Sequence, residues 1–150
     1  MNKSYLLGRL LLWMIAVYHV ILGILLLASG ETSIQAAKAL MGWTIVGSPT
    51  LGIVGEILGC YFIAFGLMMA VAAWNPVNNR GVITVGLVLF VLRLFQRLYF
   101  SGKVMDVFEV SAGRYWGAFT FILLVGAGLA VLRWRIQRDL GAAPPVGQTG

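Results

Sequence analysis

The chain has 150 residues, of which 60% are hydrophobic and 11% are charged. Soluble domains carry about 25% charged residues, so this composition predicts an integral membrane protein, and the length fits one domain. The net charge of +6 does not indicate nucleic acid as a partner, because the basic residues flank apolar runs, where they mark membrane topology and face anionic lipid head groups.

Four apolar runs are long enough to cross roughly 30 Å of hydrocarbon. They span about 10–28, 49–74, 82–100 and 115–132. We predict an all-α fold in which these four transmembrane helices form an up-down bundle, a single domain over residues 1–140. The end of the chain, 141–150, is rich in Gly, Ala and Pro and has little to bury, which predicts a flexible tail.

The first run begins after Lys3 and Arg9 and ends at Ala28, before Ser29 and Gly30. Basic residues before an apolar run and small residues after it also mark a secretory signal peptide. We interpret this run as a retained transmembrane helix, because it is longer than the apolar core of a usual signal peptide.

Residues 31–47 follow a different pattern, in which Ile34, Ala37, Leu40 and Met41 recur at helical spacing. This spacing predicts a short helix that lies in the membrane interface between the first two spans. A structured loop fits the same residues almost as well, because the amphipathic pattern is weak.

The second and third spans are joined by a polar turn. Pro49 is favoured in the first turn of a helix, and the sequence Asn-Pro-Val-Asn-Asn-Arg-Gly over 75–81 predicts the turn that ends the second span. The next connection, 101–113, contains Lys103, Asp106 and Glu109, which predicts a solvated segment before the fourth span.

Lysine and arginine are unevenly distributed between the two sides of the predicted bundle. Six lie on the side of the termini and the 75–81 turn, and three lie on the other side. Cytoplasmic loops carry the excess of basic residues, so we predict that both termini are cytoplasmic, in a prokaryotic inner or plasma membrane. The six are Lys3, Arg9, Arg80, Arg133, Arg135 and Arg138, and the three are Lys38, Lys103 and Arg114.

A polar cluster is predicted inside the bundle, where ionisable residues are costly and mark either function or structural pairing. At 1.5 Å per residue, Glu56 and Arg93 both lie about 10 Å from the outer ends of their spans, and Arg97 lies about 5 Å from that end. We therefore predict an ion pair between Glu56 and Arg93 or Arg97, with Gln96 beside it. The second arginine would leave a positive charge for an anionic head group, a carboxylate or a quinone oxygen.

His19 lies near the middle of the first span and is the only histidine. It could join the polar cluster, bond a neighbouring residue, or serve as a single axial ligand to a haem or chlorophyll-type pigment, which is the least favoured of the three. We predict no metal site and no catalytic residues, because the sequence lacks the usual metalloprotease, hydrolase and phosphate-loop motifs. The candidate ligand-binding residues are His19, Glu56, Arg93, Gln96 and Arg97.

The order of these features resembles the small four-helix DoxX-like membrane proteins, and within them the BphX-like members. The resemblance is carried by the first span, by the glutamate in GIVGEILGCYFIAFGLMM, and by NPVNNRG leading to FVLRLFQRLYFSG. It covers most of residues 5–132. It implies that Glu56, Arg93 and Arg97 match the group's intramembrane polar positions, and some DoxX-type proteins are linked to quinone-coupled sulfur oxidation.

Three functions remain open from the sequence. The first is a non-catalytic accessory subunit that binds membrane lipids and other membrane proteins or a second copy of itself. The second is a redox-linked protein that binds a quinone or another small amphiphile at the polar cluster. The third, a small transporter, ranks last because four spans leave little room for a pathway.

Overall fold

The fold is all-helical in the part of the chain that the structure describes. The structure is a computed structural model that describes residues 5–28, 34–35, 38–39 and 49–142, and for 49–51 it describes the backbone alone. The all-helical structure of these residues confirms the predicted all-α fold. The helices are α1 (Leu6–Leu27), α2 (Pro49–Trp74), α3 (Arg80–Tyr99), α4 (Ser101–Val107) and α5 (Ala112–Gly141).

Four of these helices, α1, α2, α3 and α5, are long and apolar enough to cross a membrane, which indicates an integral membrane protein. The bounds of α2 match the prediction, whereas α5 extends well beyond the predicted span of 115–132. The extension contains three arginines, one glutamine and one leucine, which favour helix in water as well as in lipid. Hydropathy therefore located the apolar part of α5 but not its end.

The connection after α3 is more ordered than the sequence predicted. Residues 101–107 form α4, and Glu109 then adopts a positive φ of 50°, after which Val110 is buried. The predicted interfacial helix over 31–47 lies mostly outside the described residues, of which 34–35 and 38–39 are helical. The predicted tail also lies outside them from residue 143 onward.

The four long helices form two pairs, with α1 against α2 and α3 against α5. In the first pair, glycines bring the two backbones into close contact. A Cβ atom added at Gly23 would lie 2.7 Å from the carbonyl oxygen of Gly59, and one added at Gly66 would lie 2.8 Å from that of Ala16. Gly59 of α2 therefore lies at this contact, whereas a Cβ at Gly55, one turn earlier, meets nothing within 4 Å.

The two pairs meet mainly at one end, which we call the turn end because it holds the turn at 75–79. The start of α1 lies there with the ends of α2 and α5, since Arg9 Nε donates to the carbonyl oxygen of Ala73 at 2.9 Å and Tyr5 Oη donates to Asp139 Oδ2 at 2.6 Å. The bond from Arg9 satisfies a carbonyl that the end of α2 leaves free. These contacts give the bundle its up-down order.

The packed core also lies toward the turn end. Its fully buried large side chains come from the first half of α1 and α3 and from the last half of α2 and α5. Toward the opposite end, Ile53 and Ile57 of α2 and Leu92 and Phe95 of α3 are exposed. The two helix pairs therefore pack together at the turn end and bury much less surface at the other. The fully buried side chains are Leu12, Met69, Ile83, Leu129 and Ile136.

The hydrogen bond between Tyr5 and Asp139 gives a testable contribution to stability. It raises the pKa of the Tyr5 phenol and lowers the pKa of the Asp139 carboxyl, so its contribution is present at neutral pH and is lost as pH rises through the Tyr5 pKa or falls through the Asp139 pKa. The Asp139 side chain is 40% exposed, so solvent weakens the bond. We expect Tyr5→Phe to lower the free energy of unfolding at pH 7, because the variant loses the donor of this bond.

Chemical unfolding in detergent, followed by circular dichroism, measures this change. Tyr61→Phe is the matched control, because Tyr61 is exposed and removal of its hydroxyl should leave stability unchanged. Equal stability of the two variants would show that the Tyr5–Asp139 bond contributes nothing.

Candidate functional site

A cavity of about 420 Å³ opens between α1, α3 and α5, at the end of the bundle opposite the turn end. Three arginines line it, Arg93 and Arg97 from α3 and Arg114 from the first turn of α5, together with His19 of α1. We call it the arginine cavity. Apolar side chains such as Phe121 and Ile122 of α5 form part of its remaining wall.

The arginine cavity reaches from the membrane boundary into the apolar layer. A helical rise of 1.5 Å per residue places Arg114 about 29 Å along α5 from Arg133, which is close to the thickness of the hydrocarbon layer. We infer from this length that Arg114 and Arg133 lie near the two boundaries of the layer. Arg93 lies about 9 Å before the end of α3, and His19 lies about 12 Å before the end of α1. The cavity thus spans the depth of a lipid head group and the first part of its chains.

Arg97 is held by Tyr115. The Tyr115 hydroxyl donates to the backbone carbonyl oxygen of Arg97 at 2.6 Å, and the Arg97 guanidinium lies 5.1 Å from the centre of the Tyr115 ring. A guanidinium over an aromatic face is attracted by the ring quadrupole. These two contacts tie the end of α3 to the start of α5 and fix one of the cavity's charges.

His19 is 3% exposed, and one of its ring nitrogens has a defined role. Nδ1 lies 2.7 Å from the carbonyl oxygen of Ile15, and because a carbonyl only accepts, Nδ1 carries the proton and donates. Nε2 is buried and has no hydrogen-bond partner in the part of the chain that the structure describes. The rings of Tyr18, Phe62 and Phe65 surround the imidazole at centre-to-centre distances of 5.2, 5.6 and 4.8 Å. A buried nitrogen without a partner is costly, and this one is enclosed by the aromatic rings.

The charges of the cavity are of one sign. Arg93 interacts electrostatically with His19 and with Arg97. None of the described residues that line the cavity is an aspartate or a glutamate. Since charge in an apolar surrounding needs a counter-charge, the arrangement favours an anion.

The structure brings together three of the five predicted site residues, His19, Arg93 and Arg97. It places the other two elsewhere: Glu56 and Gln96 are exposed and do not line the cavity. Among the described residues, the ion pair that forms joins Arg138 and Asp139. The predicted ion pair of Glu56 with Arg93 or Arg97 is therefore wrong.

The physical reason for this error is the spacing between the helix pairs. Glu56 and Arg93 were predicted to meet because they share a depth, but depth does not fix which helices are neighbours. No described residue of α2 lines the cavity, since α2 packs on α1 and approaches α3 chiefly at the turn end, where Met69 contacts Gly86.

Arg114 and Tyr115 also line the cavity, and the sequence did not lead us to predict them as site residues. A signal was present for Arg114, because it precedes the fourth span on the same side of the membrane as the outer end of the third. The depth argument used for Arg93 and Arg97 would have placed it beside them. Nothing in the sequence indicated that Tyr115 would bond the backbone of Arg97.

Comparison with protein-family models, curated protein sequences and solved structures found no match for this chain. The resemblance to the DoxX-like proteins is not tested by these comparisons and stays a prediction. The function is therefore inferred from the shape and charge of the arginine cavity.

Proposed function

We propose that this protein binds the anionic head group of a membrane amphiphile in the arginine cavity. The observation that carries the proposal is the set of three arginines, Arg93, Arg97 and Arg114, around a cavity in which no described lining residue is acidic. Guanidinium groups form strong, often bidentate hydrogen bonds with phosphate and carboxylate oxygens. An anion would supply the counter-charge that the described cavity walls lack.

The size and position of the cavity support an amphiphile rather than a small inorganic ion. Its volume of about 420 Å³ is in the range of sites that take organic ligands. Phe121 and Ile122 provide apolar wall beside the arginines. The charge of Arg114, in the first turn of α5, supports a position of the cavity near the membrane boundary. A head group at the arginines can therefore keep its chains in the hydrocarbon layer.

A quinone, a ligand class that the sequence left open, fits the same cavity less well. Its head group is neutral and would leave the arginine charges without a counter-ion.

With both termini in the cytoplasm, as we also propose, the cavity opens on the outer side of a prokaryotic plasma membrane.

The test is lipid binding by delipidated protein, measured by native mass spectrometry with phosphatidylglycerol, phosphatidylcholine and a quinone. We expect one tightly bound phosphatidylglycerol and an affinity at least about tenfold lower for phosphatidylcholine, a difference of about 1.4 kcal/mol. Arg93→Gln should weaken phosphatidylglycerol binding by about the same factor, because it removes the most deeply placed cavity charge.

Arg80→Gln is the matched control, because Arg80 lies on the same helix at the turn end and does not line the cavity. It should change the affinity less than about twofold. Equal binding of charged and zwitterionic lipid, or tighter binding of the quinone, would overturn the proposal.

The accessory-subunit hypothesis is favoured by a separate observation. Glu56 lies in the apolar helix α2 with an exposed side chain, and it has no ion pair among the described residues. A carboxylate on a membrane-facing surface is costly unless a cationic group covers it, which a partner helix could supply. Cross-linking in native membranes tests this role. We expect the protein to cross-link to a partner, and we expect Glu56→Gln to lower the yield of the cross-linked product. An unchanged yield in the variant would exclude this role of Glu56.

A further inference from the structure

Two of the arginines that line the arginine cavity lie one helical turn apart on α3. Arg93 and Arg97 are four residues apart, so they share one face of the helix and are separated by about 6 Å along its axis. Both residues are partly buried, and the charge of Arg97 acts on the Arg93 guanidinium. Like charges at this spacing repel each other. A ligand that places negative charge against both arginines therefore removes an unfavourable interaction.

The two guanidinium groups also have unused hydrogen-bond donors. Each guanidinium carries five N–H groups, and neither has an acceptor among the residues that the structure describes. The contacts of Arg97 with Tyr115 do not use these donors, because the Tyr115 hydroxyl bonds the backbone carbonyl of Arg97 and its ring meets the guanidinium as a cation–π partner. The donors of both arginines are therefore available to a ligand.

The described walls of the cavity supply no opposite charge. Arg114 is exposed at the start of α5, so water solvates its charge, whereas Arg93 and Arg97 are partly shielded from water. The charge that a ligand must balance is therefore mainly that of two arginines. The titratable and charged residues that line the cavity are Tyr18 and His19 of α1, Arg93 and Arg97 of α3, and Arg114 and Tyr115 of α5.

We propose that the arginine cavity binds a phosphate monoester, and that Arg93 and Arg97 share its three free oxygens. The inference rests on the proposed function and specifies its ligand class. A phosphate monoester carries a charge of about −1.5 to −2 at pH 7 and so balances both arginines, whereas a diester carries a single negative charge. Guanidinium groups often bind phosphate through two parallel hydrogen bonds, and a third free oxygen helps two of them to bind in this way. Phosphatidic acid is the simplest membrane amphiphile of this class.

The experiment compares two lipids with the same chains in native mass spectrometry of delipidated protein: phosphatidic acid, a monoester, and phosphatidylglycerol, a diester. At about pH 7.5 we expect the wild type to bind phosphatidic acid at least about fivefold more tightly. In Arg97→Gln this ratio should fall to about one, because one partly buried charge remains. The variant keeps the backbone carbonyl that accepts from Tyr115, so the contact between α3 and α5 is retained. Arg80→Gln is the control and should keep the wild-type ratio, because Arg80 does not line the cavity.

The pH dependence of binding gives a second measurement. The second proton of a phosphate monoester has a pKa of about 6, so at about pH 5 the free lipid must lose a proton to bind as the dianion. We expect the affinity for phosphatidic acid to fall toward that for phosphatidylglycerol, whose charge is constant over this range. Protonation of His19 would strengthen the binding of both lipids at low pH, which is the opposite change. Arginine and tyrosine do not titrate in this range.

The outcomes separate this inference from the proposed function. Equal affinities of the wild type for the two lipids at about pH 7.5, with both weakened by Arg93→Gln, would keep the anion site and overturn the monoester. A preference that persists in folded Arg97→Gln, or that does not change with pH, would also overturn it. Thermal unfolding of the variant establishes that it is folded. No binding of either lipid would overturn the proposed function itself.

Free glycerol phosphate, a water-soluble monoester, serves as a competitor in the same assay. We expect it to displace phosphatidic acid only weakly, because it has no chains to place in the hydrocarbon layer. If it bound as tightly as the lipid, the same phosphate chemistry would belong to a soluble ester, and the assignment to a membrane amphiphile would be overturned.

Discussion

Gly117→Leu is expected to weaken ligand binding in the arginine cavity strongly while leaving the fold intact. Gly117 lines the cavity, and a Cβ atom added there meets nothing within 4 Å. A leucine side chain can therefore extend into the cavity without moving the backbone, and it occupies the volume that a head group needs. We expect the affinity for phosphatidylglycerol to fall at least about tenfold.

The stability of this variant should not fall, because leucine is favoured over glycine within a helix by about 1 kcal/mol. Gly113→Leu is the matched control: Gly113 lies one turn earlier on α5, also has open space at its Cβ, and does not line the cavity. It adds the same side chain near the start of α5, outside the cavity, and should keep wild-type affinity. Normal binding by Gly117→Leu would show that the ligand does not occupy the arginine cavity.

Gly59→Val is expected to destabilise the bundle strongly, by more than Tyr5→Phe does. A Cβ at position 59 would lie 2.8 Å from the carbonyl oxygen of Gly23 and 3.0 Å from Cγ of Leu27. A backbone oxygen cannot move aside as a flexible side chain can, so α1 and α2 must separate along their main contact. Such overpacking costs about 3 kcal/mol.

Thermal unfolding in detergent measures the effect, with Gly55→Val as the control. Gly55 lies one turn from Gly59 on α2, and its Cβ would meet nothing within 4 Å, so both variants carry the same change in helix preference. A large fall in the unfolding midpoint for Gly59→Val alone is the expected result. Equal midpoints for the two variants would mean that the close approach of α1 and α2 does not stabilise the fold.

The fold was largely predictable because a membrane imposes strong local rules. A span must be apolar over about 20 residues and must satisfy its backbone hydrogen bonds internally, so each apolar run specifies a helix. The second span was predicted with the bounds of α2 for this reason, aided by Pro49 and by the turn at 75–79. The extension of α5 and the short helix α4 were missed because helix preference outside the lipid does not follow from hydropathy.

The candidate site was predictable only in part. Arg93, Arg97 and His19 were found because an ionisable residue in an apolar run is conspicuous in the sequence. Glu56 was predicted to belong to the site for the same reason, but it lies on α2, away from the cavity. Sequence gives a residue's depth in the membrane, and it says little about which helices are neighbours.

Composition and the four apolar runs were enough to establish a four-span helical membrane protein with positive charge near one end of the bundle. The packing of the helices places this charge between α1, α3 and α5, with Arg114 included and Glu56 excluded. The physical reason is that helix pairing depends on the close fit of side chains and glycines from distant parts of the chain, such as Gly23 with Gly59. Hydropathy and helical periodicity do not predict which helix surfaces fit together.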